Sequence, residues 1–267
     1  MFDRRAEARP AIRCEGIGKC FLSNDADPYH NLRERLGRLR FSRARKSPAA
    51  APSLRWALRD VSFEVPAGTV FGVLGENGSG KSVLLKILAR VTKPTTGRAE
   101  VRGAMGSILH LGAMLVPELT GRESIYQIGT LLRLRRDVID CHFDEIVAFS
   151  GVGTQLDSLV RGYSAGMQLR LAFAVMVFLE SDVLLLDESL SVADEEFRGR
   201  CVQRIRRMAD SGQTVVVVSH DLDAMADLCD RVLILEQGRV QVIGEAGPAI
   251  AAYRRRVRAD LATVPEK

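Results

Sequence analysis

The stretch LGENGSGKSVLLKIL, residues 74–88, joins a glycine-rich loop to a following apolar segment. Within it, residues 75–82 satisfy the P-loop pattern GxxxxGK[ST], whose glycines let successive backbone N–H groups point inward at phosphate oxygens. The apolar run 69–75 before the loop predicts a buried strand, and residues 81–91 predict a helix that begins directly behind it. This order of strand, loop and helix predicts a site for a nucleoside triphosphate.

The residues of the loop have separate predicted roles. Lys81 is expected to bridge the β- and γ-phosphates, and the hydroxyl of Ser82 is expected to ligate Mg²⁺. The helix N-terminus adds a favourable partial positive charge. The predicted nucleotide-binding residues here are Gly75, Glu76, Asn77, Gly78, Ser79, Gly80, Lys81, Ser82 and Val83.

Two further apolar runs end in polar residues, as strands of an open parallel sheet do at their functional edge. VLLLDE, residues 183–188, places Asp187 where it can hold Mg²⁺ and Glu188 where it can polarise the attacking water as general base. VVVVSH ends at His220, a candidate for contact with the γ-phosphate. The alternatives are a solvent-facing acidic turn and a structural histidine.

Composition narrows the class of protein. The 267 residues, 46% hydrophobic and 27% charged, suffice for a buried core. The longest apolar run, 171–179, is about half of what a bilayer-crossing helix requires, and the N-terminus lacks a secretory apolar segment. We therefore expect a cytosolic chain whose role at a membrane depends on a partner. The five cysteines include no CxxC pair and are expected to be reduced.

Positive charge is concentrated near the N-terminus. Residues 1–60 contain fourteen Lys and Arg against seven Asp and Glu, and the densest part, 31–46, has leucines spaced to share one helical face. This basic insertion, 24–53, has two interpretations: contact with anionic lipid, a partner or nucleic acid, or a solvated surface segment. After it, strands are predicted at 58–65, 182–188 and 214–220, with a helical lobe at 115–180 and a short basic tail at 254–267.

Between the P-loop and VLLLDE lies YSAGMQ, residues 163–168, which resembles the signature motif of ABC ATPases. The order GENGSGKS, YSAGMQ, LLLDE, SLSVAD and SH is similar to the order of motifs in that family from Ile12 to about Tyr253. The resemblance implies a single α/β P-loop NTPase domain over 1–267, with a RecA-like mixed sheet, an N-terminal antiparallel β part and an inserted helical lobe.

The same resemblance implies ATP and Mg²⁺ as ligands and a head-to-tail homodimer. In such dimers the signature of one subunit closes over nucleotide held by the other, and the start of a helix would present N–H groups to the γ-phosphate. The residues implicated on that side are Ser164, Ala165, Gly166, Met167 and, in the D-loop, Asp194.

Further features resemble ATPases of polysaccharide and polyol-phosphate exporters: PELTGRESI, DEEFRGRC and an N-terminal strand interrupted by an insertion. This implies an ATP-hydrolysing subunit on the cytoplasmic face of the membrane. Its partners would be a polytopic permease and, through it, a polysaccharide or polyol-phosphate polymer. Phe21 matches the position that stacks on adenine, with Trp56 as the alternative. No nucleic acid is expected as a partner.

Three positions depart from the family pattern. Val83 replaces a threonine that helps hold the α-phosphate, which predicts weaker nucleotide binding. No glutamine lies between Ala104 and Tyr126, so the Q-loop position falls near His110 or Leu111. Ala193 replaces the D-loop glycine, a change expected to be tolerated.

Two other functions are compatible with an ATP site. One is an ABC ATPase acting on nucleic acid or ribosomes through the basic insertion, although the chain has one cassette and no coiled-coil heptads. The other is a regulatory nucleotide binder without hydrolysis, which the presence of Lys81, Asp187, Glu188 and His220 disfavours.

Overall fold

The structure, a computed structural model, describes residues 9–22, 54–108, 114–178, 181–187 and 195–262. The basic insertion 24–53 lies outside these residues, as do Glu188, Asp194, His110, Leu111 and Ala193.

A six-stranded sheet is the centre of the molecule, in the order β5-β6-β7-β3-β8-β9. Its strands are β3 (Val70–Leu74), β5 (Met105–Ile108), β6 (Val183–Asp187), β7 (Thr214–Ser219), β8 (Arg231–Glu236) and β9 (Arg239–Glu245). All neighbours are parallel except β8 and β9. The runs of buried apolar residues in β3, β6 and β7 are typical of strands covered on both faces.

Alternate side chains of this sheet enter two different hydrophobic clusters. In β6, Leu184 and Leu186 pack into one cluster, whereas Val183 and Leu185 pack into the other. Because successive side chains of a strand point to opposite faces, the sheet separates the two clusters as a middle layer.

A second sheet is antiparallel and three-stranded, in the order β2-β1-β4. It comprises β1 (Ile12–Leu22), β2 (Leu54–Val65) and β4 (Thr96–Val101). The insertion separates the paired ends of β1 and β2, where Leu22 lies opposite Leu54. Phe21 and Trp56 therefore lie at the same end of this sheet.

In the described part of the chain, four of the seven α-helices lie in the ranges predicted to be helical, 81–91 and 115–180. The seven are α1 (Lys81–Leu88), α2 (Gly121–Leu131), α3 (Arg136–Ser150), α4 (Ala165–Met176), α5 (Glu195–Asp210), α6 (Leu222–Leu228) and α7 (Ala246–Ala262). Helices α2, α3 and α4 pack on one another within the range expected to be helical, and the rings of Phe149 and Phe173 join α3 to α4 at 6.3 Å between centroids. Among the described residues, no helix is long and apolar enough to cross a bilayer.

In the C-terminal part, only the predicted basic tail differs from the sequence expectation. Residues 231–245 form a hairpin, because Gln237 and Gly238 adopt φ of 48° and 75°, as a type I′ turn requires. The predicted basic tail from 254 begins inside α7. Its buried residues, Ala246, Ala249, Ile250 and Tyr253, have the spacing of one helical face, so the sequence did contain the signal. The α/β class with a mixed sheet, an antiparallel part and a helical insertion is confirmed.

All five cysteines are free. Cys14, Cys201 and Cys229 are buried, and burial raises the pKa of each thiol to about 12. Cys20 is half-buried in β1 and Cys141 is exposed on α3. The expectation of unpaired cysteines is confirmed.

Candidate functional site

The register of the parallel strands brings the predicted motifs to one edge. Leu74, the last residue of β3, lies opposite Ser219, and Asp187, the last of β6, lies opposite Val218. The glycine-rich loop, Asp187 and His220 therefore all follow the carboxyl ends of neighbouring strands, as expected. His220 is exposed and Asp187 is partly buried.

The loop has a conformation that only glycine permits at two positions. Gly75 has φ of 149°, and a Cβ there would overlap the carbonyl oxygen of Leu235 and lie 2.5 Å from Ser79 Oγ. Gly80 has φ of 107°, and a Cβ there would lie 2.6 Å from the carbonyl oxygen of Ala57. The main chain of the loop is thus fixed by close contact with the two neighbouring strands.

Lys81 is buried at the start of α1. Its Nζ donates to the carbonyl oxygens of Gly75 and Glu76 at 2.7 and 2.9 Å, which holds the ammonium against the loop. Ser79 is also buried, and its Oγ has no hydrogen-bond partner within the described residues. A buried orphan hydroxyl and a buried cation together suit an anionic oxygen-rich ligand.

A cavity of about 1030 Å³ opens beside the loop. The predicted binding residues that line it are Asn77, Gly78, Gly80, Lys81, Ser82 and Val83. Phe21 and Trp56 both line it as well, so the structure keeps both aromatic candidates at the site. Phe21 is 41% exposed, with Lys19 Nζ 5.2 Å from its ring centroid. Gly75 and Ser79 are buried within the loop, and Glu76 is exposed.

The signature residues begin α4 as predicted. Ser164 is the N-cap, and its Oγ accepts a hydrogen bond from Met167 N at 3.2 Å. Ser164 and Ala165 are exposed, so the first N–H groups of the helix face outward. Within the described chain, none of residues 164–167 lines the cavity beside the P-loop. One copy of the chain therefore presents two separate candidate nucleotide surfaces.

Tyr163 is a residue of this region whose structural role the sequence did not reveal. Its hydroxyl donates to the carbonyl oxygen of Gln155 at 2.6 Å, and its burial raises its pKa. A Cβ on Gly121, the first residue of α2, would overlap that hydroxyl. The backbone of 158–161 also pairs with 117–121, which fixes the loop before Ser164.

Three arginines of the cavity were also missed. Arg55, Arg59 and Arg239 line it together with the residues of the P-loop. A signal was present in LRWALRD, residues 54–60, where alternation places Arg55, Ala57 and Arg59 on one face of a strand.

The mixed sheet, with a glycine loop, a buried lysine and an aspartate at the carboxyl edge of its parallel strands, defines the chain as a P-loop nucleotide-binding protein.

Comparison with known proteins identifies the family of P-loop proteins to which the chain belongs. Residues 58–191, about half of the chain, match the family model described as ABC transporter. The O-antigen export system ATP-binding protein RfbB of Klebsiella pneumoniae is 41% identical over 199 residues, covering 74% of this chain and 81% of that protein. The teichoic acids export ATP-binding protein TagH of Levilactobacillus brevis is 41% identical over 199 residues, covering 74% of this chain and 55% of that protein. The chain belongs to the ABC transporter family.

Solved structures agree on the fold. An ATP-binding subunit of an ABC transporter superposes with a TM-score of 0.70 at 18% identity, covering 93% of each chain. An ATP-binding cassette in a dimeric post-hydrolysis state, bound to ADP and Pi, superposes with a TM-score of 0.67 at 19% identity, covering 88% of this chain and 98% of that one. As a member of the ABC transporter family, the chain is an ATP-binding transport ATPase, a class whose members dimerise and pair with permease subunits.

Proposed function

We propose that this chain is the ATP-hydrolysing subunit of an exporter that moves a polysaccharide or polyol-phosphate polymer through a separate membrane permease. The observation that carries the proposal is the pairing of a formed P-loop cavity with an outward-facing signature helix on the same chain. Relatives named for O-antigen and teichoic acid export support the class of cargo.

In this proposal the loop 75–83 holds the phosphates of ATP. The glycines direct main-chain N–H groups at the oxygens, and Lys81 turns from the carbonyls of its own loop to the β- and γ-phosphates. Phe21 stacks on the adenine, since its exposed ring borders the cavity. The lysine thereby exchanges two neutral acceptors for charged ones.

The residues present also fit Mg²⁺. The ion binds few protein oxygens and keeps waters and phosphate ligands, so a hydroxyl and one carboxylate suffice, and within the described residues there is no larger acidic or histidine cluster. Ser82 and Asp187 would hold it, and the bound ion supplies charge neutralisation at the phosphates. Glu188, outside the described residues, is the general base, and His220 lies beside the γ-phosphate.

The second half of the site comes from another copy. Residues 164–167 of one subunit close over ATP held by its partner, with the N–H groups at the start of α4 facing the γ-phosphate. Asp194, also outside the described residues, acts at the same interface. The helical lobe 115–180 transmits closure to the permease, so the chain works as a peripheral subunit on the cytoplasmic face.

The alternative, an ABC ATPase acting on nucleic acid or ribosomes, is not favoured. The relatives named above are called export ATP-binding proteins, and the basic insertion on which that alternative depends lies outside the described residues.

The test is capture of the closed state. Glu188→Gln should bind ATP and accumulate as a dimer, measured by light scattering after size exclusion, because binding continues while hydrolysis stops. Glu188→Gln with Ser164→Arg is the matched control and should bind ATP as a monomer. A Glu188→Gln chain that stays monomeric at saturating ATP contradicts the dimer mechanism.

The cargo class is tested by purifying the Glu188→Gln chain from membranes with and without ATP. The expected companion is a polytopic membrane protein. Recovery of ribosomes or nucleic acid in its place would overturn the export function.

A further inference from the structure

Three arginines line the nucleotide cavity together with the P-loop lysine. Arg55 and Arg59 come from the first half of β2, and Arg239 begins β9. All three are exposed, and within the described chain their guanidinium groups form no ion pair and no hydrogen bond. We refer to them as the arginine rim.

The arginine rim gives the nucleotide cavity a net positive charge. The cavity is lined by one carboxylate among the described residues, Glu236, and Arg256 holds it at 2.7 Å. A pocket with three free guanidiniums and a lysine attracts an anion more strongly than the P-loop alone would.

The backbone of the rim is fixed to the P-loop. The carbonyl of Ala57, between the two β2 arginines, packs so closely on Gly80 and Gly238 that a Cβ on either would lie 2.6 Å from it. Arg59 N also donates to Gly238 O at 2.8 Å, next to Arg239. The arginines therefore start from positions defined relative to the loop, on a cavity that Val83 also lines.

We propose that Arg55, Arg59 and Arg239 bind the α- and β-phosphates of the nucleotide and replace the hydroxyl contact that Val83 cannot make. The planar guanidinium suits this role because it donates two parallel hydrogen bonds to phosphate oxygens. The rim rests on the proposed function as an ATP-binding subunit. The contacts of the arginine rim would then offset the loss of nucleotide affinity expected from Val83.

The first experiment compares ligands with different numbers of phosphates. Each single Arg→Gln variant of the rim should weaken ATP binding by about fivefold, and the triple variant by on the order of 100-fold, as exposed charged contacts allow. The loss should shrink from ATP to ADP to AMP and vanish for adenosine. Arg102→Gln is the matched control, an exposed arginine at the far end of the antiparallel sheet, and should change nothing.

The second experiment is a double-mutant cycle with position 83. Val83→Thr should tighten ATP binding about tenfold in the triple variant and about twofold in the unmodified chain, because the rim already contacts the same phosphates. The role of the arginine rim would be overturned if Val83→Thr tightened ATP binding equally in the unmodified chain and in the triple variant. It would also be overturned if the triple variant lost as much affinity for adenosine as for ATP. An unmodified chain that binds no ATP would instead overturn the proposed function. Thermal unfolding of each variant checks that the fold is intact.

Discussion

The P-loop and the signature segment are both candidate nucleotide surfaces, but different parts of the chain hold them in place. The P-loop is fixed by main-chain contacts: glycines 75 and 80 press against the carbonyls of Leu235 and Ala57. The signature depends on side chains in addition to the main-chain pairing of 158–161 with 117–121, since Tyr163 is anchored to Gln155 and Ser164 caps its own helix. Side-chain hydrogen bonds thus help to position the signature, whereas the close contacts of the P-loop require the absence of side chains at Gly75 and Gly80.

This difference has a physical consequence. Backbone contacts leave few alternative conformations, so the P-loop is expected to be formed before ligand binds. Side-chain contacts near the surface are individually worth about 1 kcal/mol and fail one at a time. Four changes test the comparison.

The largest effect is expected at Gly80. Gly80→Ala forces a Cβ against the carbonyl of Ala57 at a φ of 107°, and we expect a loss of about 3 kcal/mol in the free energy of unfolding together with loss of ATP binding. Gly78→Ala is the control: its φ of 83° is also left-handed, but nothing lies within 4 Å, so about 1 kcal/mol is expected. Urea unfolding and nucleotide titration measure both. Equal effects would show that contact with the strands does not fix the loop.

The next effect concerns the anchor of the signature. Gly121→Ala overlaps the hydroxyl of Tyr163 and should cost about 2 kcal/mol, while Tyr163→Phe should cost about 1 kcal/mol by losing its bond to Gln155. The double variant should cost less than the sum, because the phenyl ring leaves room for the methyl group. Urea unfolding of the four chains gives the coupling. Additive losses would mean that the two residues do not share one contact.

A smaller effect is expected at the helix cap. Ser164→Ala removes the acceptor for Met167 N and should lower the free energy of unfolding by about 1 kcal/mol. ATP affinity of the monomer should stay the same, since the cap lies outside the P-loop cavity. Dimerisation of the Glu188→Gln chain should weaken. A change in the ATP affinity of the monomer would show that the signature and the P-loop are not independent surfaces.

The smallest effect is on pH dependence. Hydrogen bonds from the backbone and hydroxyl of Thr120 lower the pKa of Glu123 below its ordinary value, and a hydrogen bond from Arg122 does the same for Asp157. A carboxylate with a lowered pKa stabilises the fold above its ordinary value, and that contribution is lost as the pH falls through the lowered one.

Acidification below about pH 4 should therefore lower the hydrogen-exchange protection of 117–163, relative to the unfolded chain at the same pH, before it lowers that of 75–82. Glu123→Gln should reduce the pH dependence of that protection. Loss of protection in 117–163 and 75–82 at the same pH would show that the signature segment and the P-loop do not differ in how they are held.

The same contrast explains what the sequence could predict. Gly75, Gly80 and Lys81 belong to a local pattern whose geometry follows from residue type, so the strand, loop and helix were predicted correctly. The strand ends at Asp187 and Ser219 follow from uninterrupted apolar runs. Tyr163 and Gly121 are 42 residues apart, and no local pattern indicates that they touch.

Two other features were missed for different reasons. The rim arginines lie on two separate strands, and their common cavity depends on the close packing of β2 on the β8–β9 turn. Helix α7 did carry a helical apolar spacing, but its many arginines made it look like a solvated tail. The roles of Glu188 and Asp194 stay predictions.

The thiols differ in exposure, so dyes attached to native cysteines can report a distance within the chain. Cys14, Cys201 and Cys229 are buried with strongly raised pKa values and should resist maleimide dyes, whereas Cys20 beside Phe21 and Cys141 on α3 are accessible. A donor and an acceptor dye on these two native positions span the antiparallel sheet and the helical lobe. Rotation of one against the other during a catalytic cycle would then be visible by fluorescence transfer, without any engineered cysteine.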